Sequence, residues 1–212
     1  MLYLFVKRIL DLLLAILALI ILSPFLLLVA LAVKIDSAGA VFVEDSDRVG
    51  KGGKSFRMYK FRTMIKSAHK QIKTNPKYKG LVGSWEKNSF KLEKDPRITR
   101  VGRFLRRFSI DEFPQLLNVI KGDMSLVGPR ALYPEEMKMQ RKLHSDLVPF
   151  LDLVTHVKPG ASGVWQVSGR SALSFRERVK IDAEYAKGPT LLTDLAVILK
   201  TPFAILGGKG AR

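Results

Sequence analysis

The hydrophobic positions are spread unevenly along the chain. Residues 9–33 read ILDLLLAILALIILSPFLLLVALAV, broken only by Asp11, Ser23 and Pro24. As helix, such a run reaches roughly 37 Å, more than the about 30 Å of a hydrocarbon core. The pattern therefore predicts a membrane-embedded segment, with three readings of its topology. Lys7 and Arg8 ahead of the run and the small-x-small Ala30-Leu31-Ala32 suit a cleavable signal peptide, but the apolar run is too long for one. A plain spanning helix is the second reading. The third is a re-entrant helix-break-helix. Pro24 removes a backbone donor and disfavours helix at Ser23, and the halves on either side, roughly 21 and 15 Å long, are each too short to span. Ser23 could then satisfy a freed carbonyl. Lys7 and Arg8 precede the run and Lys34 follows it, so charge does not separate the last two readings.

Beyond residue 33 the periods become short and the composition soluble. Residues 40–43 (AVFV) predict a short strand, 48–54 (RVGKGGK) a glycine turn, and 55–64 (SFRMYKFRTM) a second strand. Residues 65–95 are polar and lysine-rich and predict a loop-plus-helix excursion. In 97–107 (RITRVGRFLRR) basic residues recur at helical spacing, which clusters positive charge on one side. That stripe either faces water or lipid headgroups, or lends arginines to a substrate phosphate. The final apolar stretch, 191–206, contains Asp194 and Lys200 and reaches Thr201-Pro202; it predicts a helix along a membrane surface rather than a span. The expected fold class is α/β, mostly α with a small β element. Residues 1–35 would form the membrane hairpin and 36–212 a compact cytosolic domain.

Composition narrows the chemistry. Lys plus Arg is 36 against 19 Asp plus Glu, a net charge of +17 that calls for an anionic partner. There are no cysteines, which excludes thiol catalysis, disulfide scaffolding and Cys-ligated metal sites, and the 3 scattered histidines argue against a His-rich one. Candidate chemistry concentrates in 109–130, SIDEFPQLLNVIKGDMSLVGPR. Residues 113, 116, 117 and 120 mark a helix face that Gly122 would stop. Ser109 with Glu112 fits a capping box and Asp111 would complement the helix dipole, although Pro114 shifts the start. Equally, adjacent carboxylates among arginines suit phosphate and Mg²⁺, with one carboxylate as nucleophile or metal ligand. Spacing alone leaves both readings open.

Six blocks in order bear a resemblance that covers nearly the whole chain. They are the hydrophobic segment with Ser23-Pro24, YKFRTM (59–64), KDPRITRVG (94–102), DEFPQ (111–115), NVIKGDMSLVGPR (118–130) and KPGASGVWQVSGR (158–170). Together they resemble the bacterial sugar transferase family, the monotopic polyprenyl-phosphate phosphoglycosyl transferases. Ala131 departs from the family's usual Pro after Gly-Pro-Arg, and the 65–95 segment is longer than usual. The resemblance implies a re-entrant membrane helix, placing the protein on the cytoplasmic face of the bacterial inner membrane among its lipids. It implies transfer of a sugar-1-phosphate from a UDP-sugar to undecaprenyl phosphate, with Mg²⁺ and release of UMP, at the start of exopolysaccharide, O-antigen or glycoprotein-glycan assembly. Asp111 would be the nucleophile and lie near Mg²⁺, with Glu112 assisting the second step. Arg106, Arg130 and Arg170 are the phosphate contacts by motif match, with Lys60 and Arg62 behind them and Gln166 as a substrate hydrogen-bonding group. The sugar is not specified beyond a hint of a hexose, and a homodimer is left open. The rival classes are a membrane-tethered nucleic-acid-binding protein and a scaffold. No helix-turn-helix or aromatic–basic interleaving supports the first, so no nucleic acid is expected, and the second leaves DEFPQ without purpose.

Overall fold

The computed structural model describes residues 2–44, 46–87, 92, 94–169 and 172–206. A single helix, α1 (Leu2–Asp36), contains the whole apolar run, with Pro24 inside it. The expected division into two helices at Ser23-Pro24 is not seen; helix continues through the proline. Pro24 has no N–H to give the carbonyl of Ile20, one turn back, and the Ser23 hydroxyl donates to that oxygen instead at 2.9 Å. A local donor thus keeps the helix going at the position where proline should end it.

The middle of α1 is bare: Leu17, Ile20, Ile21, Leu27 and Leu28 are all more than half exposed. Each end is instead gripped along one face. Near the N-terminus Asp11 is buried, accepting from the Ser125 hydroxyl at 2.7 Å and the Leu126 amide at 3.0 Å. Near the C-terminus Val29 and Val33 pack with Phe61, Leu105 and Ile110. One domain therefore grips the helix twice, leaving the apolar centre unpartnered.

The rest is predominantly helical. Strand β1 (Asp47–Val49) pairs antiparallel with β2 (Ser55–Arg57), Arg48 opposite Phe56. The glycine turn joins them as foreseen, Gly52 and Gly53 taking φ of 68° and 74°. The sheet is shorter than expected: residues 40–43 contribute only a bridge from Phe42 to Phe61, and beyond Arg57 the predicted strand survives as isolated bridges. Side chains there are held by the domain interior instead of by a ladder. The polar excursion folds as α2 (Ala68–Thr74), a 3-10 stretch (Pro76–Leu81) and α3 (Val82–Lys87), around its own small core of Ile72, Tyr78 and Trp85.

Helix α4 (Arg100–Arg107) follows, capped by the Thr99 hydroxyl on the Gly102 amide, and then α5 (Gln115–Lys121), which Gly122 ends in the left-handed conformation at φ 90°. Next come β3 (Ser125–Val127), α6 (Pro134–Leu143), α7 (Val148–Val154) and β4 (Gly160–Ser162), which pairs parallel with β3. The two intervening helices supply the crossover that a parallel pair requires. The β3 and β4 segments approach so closely that a Cβ on Gly160 would lie 2.1 Å from the Gly128 amide nitrogen, and one on Gly163 2.5 Å from the Gly128 carbonyl oxygen. Glycine is demanded here by backbone meeting backbone. Helices α8 (Val164–Ser168), α9 (Phe175–Lys187) and α10 (Leu191–Leu206) complete the chain, α10 running through Pro202 rather than stopping there.

Candidate active site

Asp111 and Glu112 lie in a 3-10 turn, Ile110–Glu112, and not at a helix cap. Ser109, the expected cap, makes no capping bond. It takes φ 53°, ψ 24°, a region that costs a non-glycine residue about 1–2 kcal/mol. The capping-box reading is therefore corrected: α5 starts only at Gln115, because Pro114 suits a helix beginning and not its interior. The tight turn drives Asp111 inward, 9% exposed, and holds it by a backbone bond from the Phe61 amide to the Asp111 carbonyl at 3.0 Å.

Lys60, next to Phe61, reaches Glu112 at 2.6 Å through Nζ and Oε1. Arg106, in the last turn of α4, donates from Nε to the Thr63 hydroxyl at 2.9 Å. Burial pushes the Asp111 carboxyl above the ordinary carboxylate range; Lys60 and Arg106 pull it back and Glu112 pushes it further up. Asp111, Glu112, Lys60 and Arg106 thus form one electrostatic group. Asn118, fully buried on α5, ties this group together: it accepts from the Tyr59 amide at 2.8 Å and donates to the Arg57 carbonyl at 2.7 Å. The segment carrying Lys60 and the helix following the carboxylates are thereby locked to one another. At the far end of α5, Arg8 of α1 donates to the carbonyls of Val119 (2.6 Å) and Ile120 (2.9 Å), satisfying last-turn acceptors.

Arg62 is not brought to the site. It is buried and all three guanidinium nitrogens bond to protein groups near the end of α1: the Ala40 carbonyl, the Ser37 hydroxyl and carbonyl (2.8 Å), and the Val33 and Met64 carbonyls. It caps the C-terminal end of α1, which removes it from the substrate contacts. Arg97 is likewise structural, clamped to Asp95 at 2.8 and 2.6 Å and to the Ala68 carbonyl at 2.9 Å.

Arg130 belongs to a second basic group. Its guanidinium lies 5.3 Å from the Trp165 ring centroid, with Arg178 at 5.7 Å from the same ring. Arg130, Arg178, Glu136 and Asp182 line a small cavity together with Leu132 and Leu151. Arg48, stacked over Tyr133 at 3.2 Å, adds to the positive charge, and burial lowers the pKa of both Arg48 and Arg178. Gln166 is half-buried on α8 beside Trp165, and Arg170 lies outside the described residues. Neither Arg48 nor Arg178 stands out in the sequence, since no short spacing joins them to Arg130.

Asp182 accepts from the Arg130 amide at 2.9 Å, and burial pushes its carboxyl up to about 7 against the pull of both arginines. Raised from 3.8, this group costs folding stability progressively as pH climbs from about 4 to about 7, because the unfolded chain gives up its proton first. Asp182→Asn keeps an acceptor for the Arg130 amide while removing the ionisation. Its thermal midpoint is expected to change less than the parent's between pH 4 and 7, and at pH 8 to equal or exceed it; a steeper dependence would contradict the burial argument.

Among the described residues no three Asp, Glu or His side chains cluster as a metal cage. Mg²⁺ seldom asks for one: it takes one or two carboxylates and completes its shell with water and substrate phosphate oxygens. Asp111, a buried carboxylate raised by desolvation with Glu112 adjacent, fits that mode. The bacterial sugar transferase model matches residues 2–208. The chain belongs to the bacterial sugar transferase family. It is 42% identical over 208 residues to an undecaprenyl-phosphate galactose phosphotransferase of Salmonella typhimurium, covering 98% of this chain and 42% of that one. It is 40% identical over 209 residues to the exopolysaccharide production protein ExoY of Sinorhizobium fredii, covering 97% and 87%. An uncharacterized sugar transferase of Haemophilus influenzae is also 40% identical, over 97% of this chain and 42% of its own. The chain spans less than half the length of two of these relatives.

Proposed function

We propose that this family member transfers a sugar-1-phosphate, that of a hexose, from a UDP-sugar to undecaprenyl phosphate at the cytoplasmic face of a bacterial inner membrane. The observation that carries the reading is a buried carboxylate, Asp111, turned inward on a 3-10 turn with Lys60 and Arg106 beside it. A carboxylate oxygen of Asp111 attacks the sugar-bearing phosphorus, the bond to the bridging oxygen breaks, and UMP leaves with that oxygen. In the second half an oxygen of the lipid phosphate attacks the same phosphorus, the acyl–phosphate bond breaks, and Asp111 returns as carboxylate. Two bulky anions then never need to share the site. Lys60 and Arg106 stabilise the phosphoryl charge in both halves, and Glu112, held by Lys60, orients the incoming lipid phosphate. Arg130, with Gln166 and Arg170, is assigned to the nucleotide diphosphate. Mg²⁺ bound at Asp111 would supply further neutralisation of the diphosphate. The name of the Salmonella relative supports this reaction class, and that of the Sinorhizobium relative supports a place in exopolysaccharide production.

The test separates the halves. With UDP-sugar, Mg²⁺ and no lipid acceptor, a burst of UMP stoichiometric with enzyme is expected; adding undecaprenyl phosphate should turn it into steady release. Release that requires both substrates from the start would refute the covalent route. A panel of UDP-sugars in the same assay identifies the donor.

Both ends of α1 grip the same domain, at Arg8 and Asp11 on one side and at Val29 and Val33 on the other. This favours the re-entrant reading, in which both ends share the cytoplasmic side. Because the chain has no cysteine, single cysteines at Leu2 and Ala38 report topology cleanly. Both are expected to react with a membrane-impermeant thiol reagent from the cytoplasmic side only; opposite-side labelling would establish a spanning helix.

A further inference from the structure

The arginines of the 97–107 segment separate in the fold into three directions. Arg97 is an internal pin and Arg106 serves the carboxylate group, as described above. Arg100, Arg103 and Arg107 are exposed and lie at successive helical turns on the remaining face of α4. Between them stands Phe104, its large ring 56% exposed, packed against Phe108 at a centroid distance of 5.0 Å. Arg107 in turn lies 5.6 Å from the Phe108 ring. A single exposed phenylalanine is ordinary on a surface that meets water, so its meaning here comes from what surrounds it.

The surroundings of this face point to what meets it. Helix α4 is fastened to the end of α1: the Val101 amide donates to Asp36 at 3.2 Å, and Val101, Leu105 and Phe108 join the cluster containing Val29 and Val33. The same third of α1 exposes Leu27, Leu28, Leu31 and Ile35. The helix carrying the cationic stripe is therefore packed on the same third of α1 that exposes these apolar side chains. Arginine with phenylalanine in such a place matches an interfacial helix, the ring entering the headgroup–acyl boundary and the guanidiniums meeting phosphates.

We propose that Arg100, Arg103, Phe104 and Arg107 form a docking surface for anionic phospholipid headgroups, which fixes α4 against the membrane beside the site. This rests on the membrane reading of α1 given above. Each basic residue near an anionic surface strengthens its attraction by about fivefold in partition, and that attraction is screened by salt.

The full chain in lipid nanodiscs tests it, with a polarity-sensitive fluorophore on a single cysteine in Phe104→Cys and quenchers carried on the lipids. In discs with about 30 mol % phosphatidylglycerol, quenching at 104 is expected to be at least about threefold stronger than in phosphatidylcholine alone, and to collapse at about 0.5 M salt. Adding Arg100→Gln, Arg103→Gln and Arg107→Gln should erase the difference between the two lipids, and the corresponding three Arg→Lys changes should retain most of it. A companion probe in Leu27→Cys reports α1 independently. Strong quenching at 27 with none at 104 in any lipid would overturn this proposal alone. No quenching at either would overturn the membrane reading with it. Quenching at 104 that appears only with undecaprenyl phosphate, and not with phosphatidylglycerol, would make the stripe an acceptor site and refute the headgroup assignment.

Discussion

Asp111→Asn is expected to bring UMP release to background, a loss on the order of 10³-fold or more, while the protein stays folded. The substitution preserves size and most hydrogen bonding but leaves an amide oxygen too weak to displace UMP. A residue kept only to start a helix would not behave so, since asparagine caps helices about as well as aspartate. Intact-mass measurement after incubation with UDP-sugar and Mg²⁺ should show a sugar-phosphate adduct mapping to Asp111 in the parent and none in the variant. In Glu112→Gln the adduct should form and persist when undecaprenyl phosphate is added, because the second half is the one impaired. Lys60 lowers the Asp111 pKa, so Lys60→Met should move the acid limb of the first half-reaction to higher pH. Full activity in Asp111→Asn would end the covalent mechanism.

The largest effect on folding is expected at Gly102. A Cβ there would stand 2.0 Å from the Thr63 carbonyl oxygen and 2.6 Å from its carbon, both backbone atoms with nowhere to go. Thr63 also accepts from Arg106 and bonds through its carbonyl to the Thr99 amide, so the displaced segment is the one that positions the site. Gly102→Ala should therefore cost about 3 kcal/mol of stability and most of the activity. Gly83→Ala, in open space on the excursion, is the control and should be near neutral or slightly stabilising by helix propensity. Thermal unfolding of the two variants in detergent checks the contrast; equal midpoints would mean that the α4–Thr63 packing is not as close as described.

What could be read from the sequence was what depends on neighbours in the chain. The apolar run, the Ser23 compensation for Pro24, the turn at 52–53 and the stop at Gly122 are each settled within a few residues, and each is found. The motif blocks name the carboxylate pair and Lys60 as candidates, and the fold brings Lys60 to Glu112. What could not be read was the use of side chains across long separations. Asp11 bonding Ser125, Arg8 capping α5 and Asn118 holding Tyr59 all join segments tens of residues apart. Spacing alone likewise could not tell Arg62 and Arg97, spent on carbonyls and Asp95, from Arg106, because the three differ only in what the fold sets opposite them. The short strands failed for a related reason. Three-residue pairings such as β3 with β4 carry no alternation to detect and are fixed by glycine-to-glycine approach.

The bond between Ser23 and Ile20 decides how deep this part of α1 can sit. Proline normally leaves a carbonyl that must borrow a donor from solvent, and in hydrocarbon an unsatisfied carbonyl costs several kcal/mol. Here the donor is the residue next door, supplied by the chain itself at 2.9 Å. The segment around Pro24 therefore needs no water to be stable, and it can sit at a depth of the bilayer where none is available. Ser23→Ala would leave the Ile20 carbonyl thirsty, drawing this stretch of helix toward the headgroups even though not one apolar contact is lost.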